Sequence, residues 1–403
     1  MILLSKNDKL FIRSSIESDT PIRLDGRNLM EERMIEIELS RNDHGSICEV
    51  NYGNTRVICV TKWDIVEPFH DRPNDGMLNF LIKLSHGTEI AHDNHNNSGN
   101  SNSNSNNNIE NESEFIRMLE RSIKESNTLD TESLCIVSNE KVWSITCTIN
   151  IINYNGNCID TAVLATMGGL RVFRKPEISL ISRKININNI NNDNNNKKSS
   201  SSSSSNDDEM IMDLKIYSSD EKEPLPLAIH HTPLCVTMYC YKISSSSSSS
   251  SLSSSSKSNS SNDIIILLDA THEEEVLCDT KITFTFNGHD ELCSIFKRGG
   301  EGLSVCDVMT CHTQSSIIVK KLHSLLEECL KAYEIKHEEL KKKRLKALRN
   351  QVHVSVSAGT SDVDIESDNN NININSSSSS DINPKILDYS HLHEAAQLPP
   401  SPP

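Results

Sequence analysis

The residues that bear most directly on chemistry lie in Leu129–Pro176, LDTESLCIVSNEKVWSITCTINIINYNGNCIDTAVLATMGGLRVFRKP. A strand, a tight turn at Gly156 and a helix of small residues follow one another there. A helix that opens on a tight turn offers unpaired backbone N–H groups to an anion, so the layout suits phosphate. Firm binding of phosphate also takes a hydroxyl and a cation. The turn reads Asn155-Gly156-Asn157-Cys158-Ile159-Asp160, which supplies neither, and Asp160 adds a negative charge. The layout suits phosphate, and its residue types argue against that chemistry.

Other residues could also touch a ligand. Arg117, Arg121 and Lys124 recur at i, i+4 and i+7 on one face of the segment Phe115–Lys124. They could contact an RNA backbone or form an ordinary solvated face. Arg72 sits on the loop DRPNDG, where a turn-stabilising ion pair is the alternative to a binding role. His230 and His231 precede Pro233 and an apolar strand, which reads as a domain-opening turn rather than a catalytic or metal pair. Asp25-Gly26-Arg27 reads as structure, and so does Arg56 at the start of a strand. The run Lys341–Lys346, KKKRLK, fits a nuclear address or a helix end whose cations complement the helix dipole.

The elements that must position these groups are interrupted by polar tracts. Asp93–Asn108, Ile185–Asp208, Ser244–Asn262 and Ser367–Asp381 are almost pure Asn, Ser and Asp. Such tracts bury too little apolar surface to offset the entropy of ordering them. Without them roughly 300 residues remain, enough for two modest α/β domains. Long surface insertions cost only about 0.6 kcal/mol per doubling of length. The first and third tracts are therefore expected to expand loops, and the second to link two domains. The expected division is residues 1–184, a linker at 185–208, a second domain at 209–349 with its insertion at 244–262, and an acidic, Ser-rich tail at 350–403.

Periodicity predicts a helix at Asp8–Ser18 and strands at Arg33–Leu39, Ser46–Tyr52 and Thr55–Trp63. Further strands are predicted at Ser133–Val137 and Lys141–Asn153, with an Ala/Gly-rich helix at Thr161–Arg171. The second half repeats this logic, with strands at Leu234–Lys242, Ile264–Asp269, Lys281–Asn287 and Glu291–Lys297, then a helix from Ser304 to about Arg349. The fold class is α/β (α+β): two related subdomains of mixed sheet plus helices.

A net charge of −16 argues against a protein that coats nucleic acid. None of the 12 cysteines forms a CxxC pair. Cys48, Cys59, Cys135, Cys147, Cys235 and Cys240 lie in apolar runs and read as small core residues. No signal peptide or membrane-length apolar run is evident, so a reducing compartment and no membrane partner are expected.

Several segments together resemble the RNase PH superfamily. They are RLDGRNLMEERMIEIELSRNDHGSICEVNYGNTRVICVTKWDIVEP (Arg23–Pro68), DRPNDG (Asp71–Gly76), PLPLAIHHTPLCVTMYCY (Pro224–Tyr241) and LLDATHEEEVLCDTKITFTF (Leu267–Phe286). The likeness spans about residues 5–335 apart from the polar tracts, and is greatest to the ring subunits of the eukaryotic RNA exosome. It implies an RNase PH fold whose subunits close into a ring around an RNA channel. Partners would be other RNase PH-type ring subunits, cap RNA-binding subunits, an associated exonuclease and RNA. The ring would serve 3′-to-5′ RNA processing and decay, including rRNA maturation and mRNA turnover, in nucleus, nucleolus and cytoplasm.

Active members of the superfamily place a Gly-Gly-Thr-Arg-like turn against the attacking phosphate and two aspartates near a metal ion. By resemblance, the Thr-Arg pair corresponds to Cys158 and Ile159. The aspartates fall at Glu275 and Lys281. An ammonium in place of a carboxylate disfavours magnesium strongly, since each unit-charge interaction near 4 Å is on the order of 4 kcal/mol. Asp269, Glu273, Glu274 and Asp279 are expected to keep an acidic surface nearby. The resemblance also implies that the helix bearing Arg117, Arg121 and Lys124 lies near the RNA channel and that Arg72 lies near a subunit boundary. The expected role is a non-catalytic ring subunit needing no cofactor. The alternative is a phosphorolytic 3′-to-5′ exoribonuclease, alone or through a composite site shared with a ring neighbour.

Overall fold

Alternating apolar and polar residues from Ile35 onward build a three-stranded meander. Its strands are β1 (Ile35–Asn42), β2 (Gly45–Tyr52) and β3 (Thr55–Val66), with tight turns between them. Ahead of it lies α1 (Lys6–Ile16), capped by reciprocal Ser5–Asp8 bonds of 3.0 and 3.2 Å. The computed structural model describes residues 4–18, 20–84, 104–184, 210–219, 221–243, 264–298, 300 and 302–357. The chain divides into two units, Met1–Lys341 and Lys342–Pro403. The sheets described below all lie in the first.

The meander continues into a larger sheet. β4 (Met77–Leu84) precedes α2 (Asn104–Leu119), which ends in a π-helical turn at Glu120–Lys124. β5 (Cys135–Val137) and β6 (Lys141–Asn153) follow. The strand order is β1-β2-β3-β6-β4, with β5 also on β6; only the β4–β6 pair is parallel. After α3 (Cys158–Val172) come four strands in two small pairs. These are β7 (Arg174–Lys175) with β10 (Leu225–Pro226), and β8 (Ile178–Lys184) with β9 (Met210–Ile216). The second sheet comprises β11 (Leu234–Lys242), β12 (Ile264–Leu268), β13 (Thr280–Phe286) and β14 (Leu292–Arg298). It is antiparallel, ordered β12-β11-β13-β14, with α4 (His272–Leu277) between β12 and β13. The long helix α5 (Val305–Ser357) follows.

Between the two sheets runs α3. Every residue of it except Arg171 is buried, because it packs on β2 and β3 on one side and on β11 on the other. A helix largely apolar and buried all round is the expected solution for a middle layer, and its polar members Asp160, Thr161 and Thr166 are each hydrogen-bonded. Small residues set the spacing. A Cβ on Gly168 would lie 2.6 Å from Cys48 Sγ, and one on Gly169 would lie 3.0 Å from Thr61 Oγ1. Ser46 Oγ donates to the Gly169 carbonyl at 2.7 Å, which closes the helix onto the sheet. One apolar core therefore runs through both sheets, with Cys48, Cys59, Cys147, Cys235 and Cys240 in it.

The predicted strands occur with shifted ends, and some elements were not anticipated. Among its described side chains β4 buries Leu78 and Phe80 and leaves Leu81 exposed, an alternation that the contiguous apolar run Phe80-Leu81-Ile82 hides in the sequence. α4 is a single acidic stretch that becomes a helix through the Thr271–Glu274 capping box, which also places its carboxylates on the positive helix end. α2 starts at Asn104, inside the tract expected to be loop to Asn108. The tract expected to link two domains is flanked by β8 and β9, which are antiparallel partners joined from Lys184↔Met210. It thus joins the two strands of a hairpin. The Ser-rich tract is flanked in the same way by β11 and β12 at Lys242↔Ile264. Ser367–Asp381 lies outside the described residues.

The tight seam under α3 makes one position sensitive. Gly168→Val should destabilise the fold by about 1–3 kcal/mol through overpacking against Cys48, seen as a lower urea midpoint with an unchanged slope.

Candidate functional site

β6 leaves the first sheet at Asn153 and turns into α3 through two consecutive left-handed residues, Gly156 (φ 80°) and Asn157 (φ 53°). Gly156 is required twice over. Its φ favours glycine, and a Cβ there would lie 2.2 Å from the Ala270 carbonyl oxygen. The turn is thus pressed against the segment between β12 and α4. Asn157, Cys158, Ile159 and Asp160 are all buried, so the turn is closed to solvent.

What fills the space beside the turn is a carboxylate of the protein itself. Asp269, also left-handed at φ 49°, is fully buried. It accepts from the Arg33 backbone N (2.9 Å), Arg33 Nε (2.8 Å), Arg33 Nη2 (2.6 Å) and Arg27 Nη1 (2.9 Å). Asn157 Nδ2 donates to it at 3.1 Å. Arg33 also donates to the carbonyls of Asn155 (2.8 Å) and Gly156 (3.4 Å), so one guanidinium clamps both sides of the contact. Next to it, Arg23 and Glu274 form a fully buried bidentate pair at 3.0 and 2.6 Å. Arg23 further donates to the carbonyls of Leu268 (2.9 Å) and Asp269 (2.7 Å).

These contacts correct two expectations. Asp269 and Glu274 are not part of an acidic surface: both are buried and matched by arginines from the segment Arg23–Arg33. Asp160 does not face the turn as a repelling charge. It points toward the second sheet, where Thr237 N donates to it at 2.8 Å and Thr237 Oγ1 at 2.7 Å. Thr237 lies one residue beyond the part of β11 that pairs with β12, so Asp160 supplies an otherwise missing acceptor. Burial pushes the Asp160 carboxyl up to about 7, against the lowering pull of both Thr237 bonds. Burial likewise raises the Cys158 thiol well above its ordinary range.

The structure brings the other expected position beside this turn. Glu275 on α4 accepts from Tyr154 Oη, just before the turn, at 2.6 Å, and from Lys281 Nζ at 3.2 Å. Both oxygens of the carboxylate are occupied. Among the described residues no group of three or more His, Cys, Asp or Glu is placed to share a metal ion. The donor set does not fit the metal that active relatives in the superfamily use, because its one carboxylate is neutralised by an ammonium.

Arg117 on α2, with Arg121 and Lys124 on the π-turn that follows, are all exposed, and none of them pairs with a described carboxylate. The opposite face of the same segment buries Phe115, Leu119, Ser122 and Ile123. Arg72 is exposed on a separate turn, closed by Arg72 N to the Phe69 carbonyl at 3.0 Å. That turn is held to the Thr131–Asn139 segment through Gly76 N to the Thr131 carbonyl (2.9 Å) and Asn139 N to the Pro73 carbonyl (3.2 Å). Arg27 has the structural role expected of Asp25-Gly26-Arg27, and the residues that sequence reasoning missed are Arg23 and Arg33. Their spacing around Asp25-Gly26 was visible, but nothing local marked their partners more than 230 positions away.

Comparison with known proteins places these features in a lineage. The pattern of the 3′ exoribonuclease family, domain 1, matches residues 31–176, and that of domain 2 matches residues 254–316. The chain is 28% identical over 344 residues to exosome complex component rrp45 of Schizosaccharomyces pombe, spanning 85% of this chain and 94% of that one. It is 28% identical to RRP45 of Saccharomyces cerevisiae, spanning 82% and 92%. The solved archaeal exosome core is similar in structure with a TM-score of 0.52 at 20% identity, covering 79% of this chain and 96% of that one. The Archaeoglobus fulgidus exosome with RNA bound to the active site gives 0.52 at 21%, covering 78% and 96%. These two likenesses establish the fold.

Asp160 gives the site a measurable signature. The folded state keeps its proton up to about pH 7, whereas the unfolded chain releases it near pH 4. Its contribution to stability therefore falls as pH rises through that window and is level above it. Asp160→Asn should remove this slope, leaving stability at pH 7.5 equal to or above the parent in urea denaturation. Asp160→Leu should cost about 1–3 kcal/mol by stranding the Thr237 N–H. The depressed His231, His272 and His323 act in the opposite direction, and comparing parent with variant cancels them.

Proposed function

The chain belongs to the 3′ exoribonuclease (RNase PH) family, and on that premise we propose that it is a non-catalytic ring subunit of an RNA exosome. In this reading it scaffolds the ring and lines part of the channel through which RNA reaches 3′-to-5′ processing and decay. The observation that carries the reading is the closed turn. The hydroxyl and guanidinium of an active site are replaced by Cys158 and Ile159, both buried in the core. The space beside them is held by Asp269, with Arg27 and Arg33 already bound to it. Incoming phosphate would have to displace a carboxylate that makes two buried ion pairs, and breaking such a pair costs about 3–5 kcal/mol. The Glu275–Lys281 pair supports the same reading at the metal position.

The partners in this proposal are other RNase PH-type ring subunits, RNA-binding cap subunits and an associated exonuclease. Exposed apolar side chains supply surface for subunit contacts: Leu10 and Phe11 on α1, Met34 before β1 and Phe69 beside Arg72. Arg117, Arg121 and Lys124 are the residues we assign to the RNA backbone. The proposed sites of action are the nucleus, nucleolus and cytoplasm.

The purified chain, with RNA and inorganic phosphate, should release no nucleoside diphosphate above the level without protein. Robust phosphate-dependent release that is abolished by Glu275→Ala would overturn the non-catalytic reading. RNA contact has its own test in the assembled complex. Replacing Arg117, Arg121 and Lys124 by Ala should weaken RNA binding and flatten the slope of log K against log salt by about 2, the effect of losing three single-strand phosphate contacts. An unchanged slope would remove these residues from the RNA path.

A further inference from the structure

On the far end of α3 from the closed turn, a separate cavity of about 510 Å³ opens where α3, β11 and α5 meet. Four histidines line it: His230 and His231 ahead of β11, His289 in the β13–β14 turn, and His323 on α5. Arg171, the one residue of α3 that is not buried, and Lys331 of α5 add two cations. The facing carboxylates are Glu327 and Glu328 of α5. Nearby, Glu291 acts on His231 from the start of β14. Asp290 in the same turn is bound to Ser316 and Lys320.

The charges are arranged asymmetrically. Glu327 is engaged by Arg171 at 2.8 Å, and Arg171 also reaches Thr232 Oγ1 at 3.4 Å. With neutral imidazoles, the two cations and two carboxylates balance. Each proton taken up by a histidine then makes the wall net positive, with Glu327 acting on His323 and Glu291 on His231 as partial counter-charges. His323 is half-buried in the wall, and its ring interacts with the Thr232 backbone. Burial lowers the pKa of both His231 and His323; neighbouring histidines, and for His323 also Arg171, lower it further, against the raising pull of Glu291 on His231 and of Glu327 and the Thr232 backbone on His323. The histidines are not grouped to share a metal ion, since no three ligating side chains are so placed among the described residues. Donors spread around a cavity of this size match a ligand with several acceptor oxygens.

We propose that this cavity binds a phosphate-bearing anion, and binds it more tightly as its histidines take up protons. The site is independent of the closed turn and of any role in the ring. The anion is a phosphodiester of RNA or a free small phosphate, both recognised by the same charge-assisted donors.

The test is calorimetric titration of the full-length chain with sulfate, a tetrahedral dianion whose charge is constant over the range used. One saturable site is expected, at least about tenfold tighter at about pH 5.5 than at about pH 7.5, the effect of roughly one proton taken up per anion. His289→Ala, on an exposed turn that leaves the core untouched, should weaken binding at the lower pH. His323→Gln, checked for folding by circular dichroism, should flatten the pH dependence. Displacement of bound sulfate by a short oligoribonucleotide would identify the ligand as RNA backbone, and displacement by inorganic phosphate alone would identify a free ion. Absence of a saturable site, equal affinity at both pH values, or unchanged binding in both variants would overturn the proposal.

Discussion

The arrangement depends on one buried carboxylate. Asp269 sits at the junction of β12 and α4, in a left-handed conformation, and gathers two arginines and the N-cap asparagine of α3. A buried carboxylate without partners would cost far more than any single contact returns. The N-terminal segment must therefore bring Arg27 and Arg33 to it, and that requirement fixes how residues 23–33 lie across the second sheet. Arg23 with Glu274 repeats the device one turn away. Two buried ion clusters thus tie the start of the chain to its second half, and the turn of the first half is caught between them.

These contacts hold the turn in its shape. The positive end of a helix favours an anion, and beside α3 that anion is a side chain. α3 itself is pinned from both sides: Gly168 and Gly169 let it approach β2 and β3, and Asp160 holds the edge of β11. A helix so enclosed has little freedom to open its first turn. What remains accessible lies elsewhere: the basic face after α2, the Arg72 turn, and the histidine-lined cavity at the opposite end of α3.

Much of the framework was legible before folding was considered. β1 to β3, β6 and the strands of the second sheet follow from alternation and turn residues, because those signals are local. β4 escaped because one of its faces is only partly covered and its apolar residues are contiguous. α4 escaped because three adjacent glutamates look like surface until the Thr271 cap is seen to start a helix. The Asn/Asp-rich tract at 185–208 was assigned to a domain linker because composition shows that a segment does not build a core but not where its ends meet. The pairing of β8 with β9 answers that question.

Residue identity alone determined which side chains the turn carries. No packing can give Cys158 and Ile159 the hydroxyl and guanidinium that phosphate requires, and the order of segments across both halves marked the family. Only the tertiary structure decided where the remaining charges went. Asp160 turned to Thr237, Asp269 and Glu274 became buried partners of arginines, Glu275 met Lys281 and Tyr154, and four histidines from three distant segments came to share one cavity. The physical reason is range. Helix and strand periodicity is written within a few residues, whereas a buried charge is satisfied by whichever partner the fold delivers, here from more than two hundred positions away.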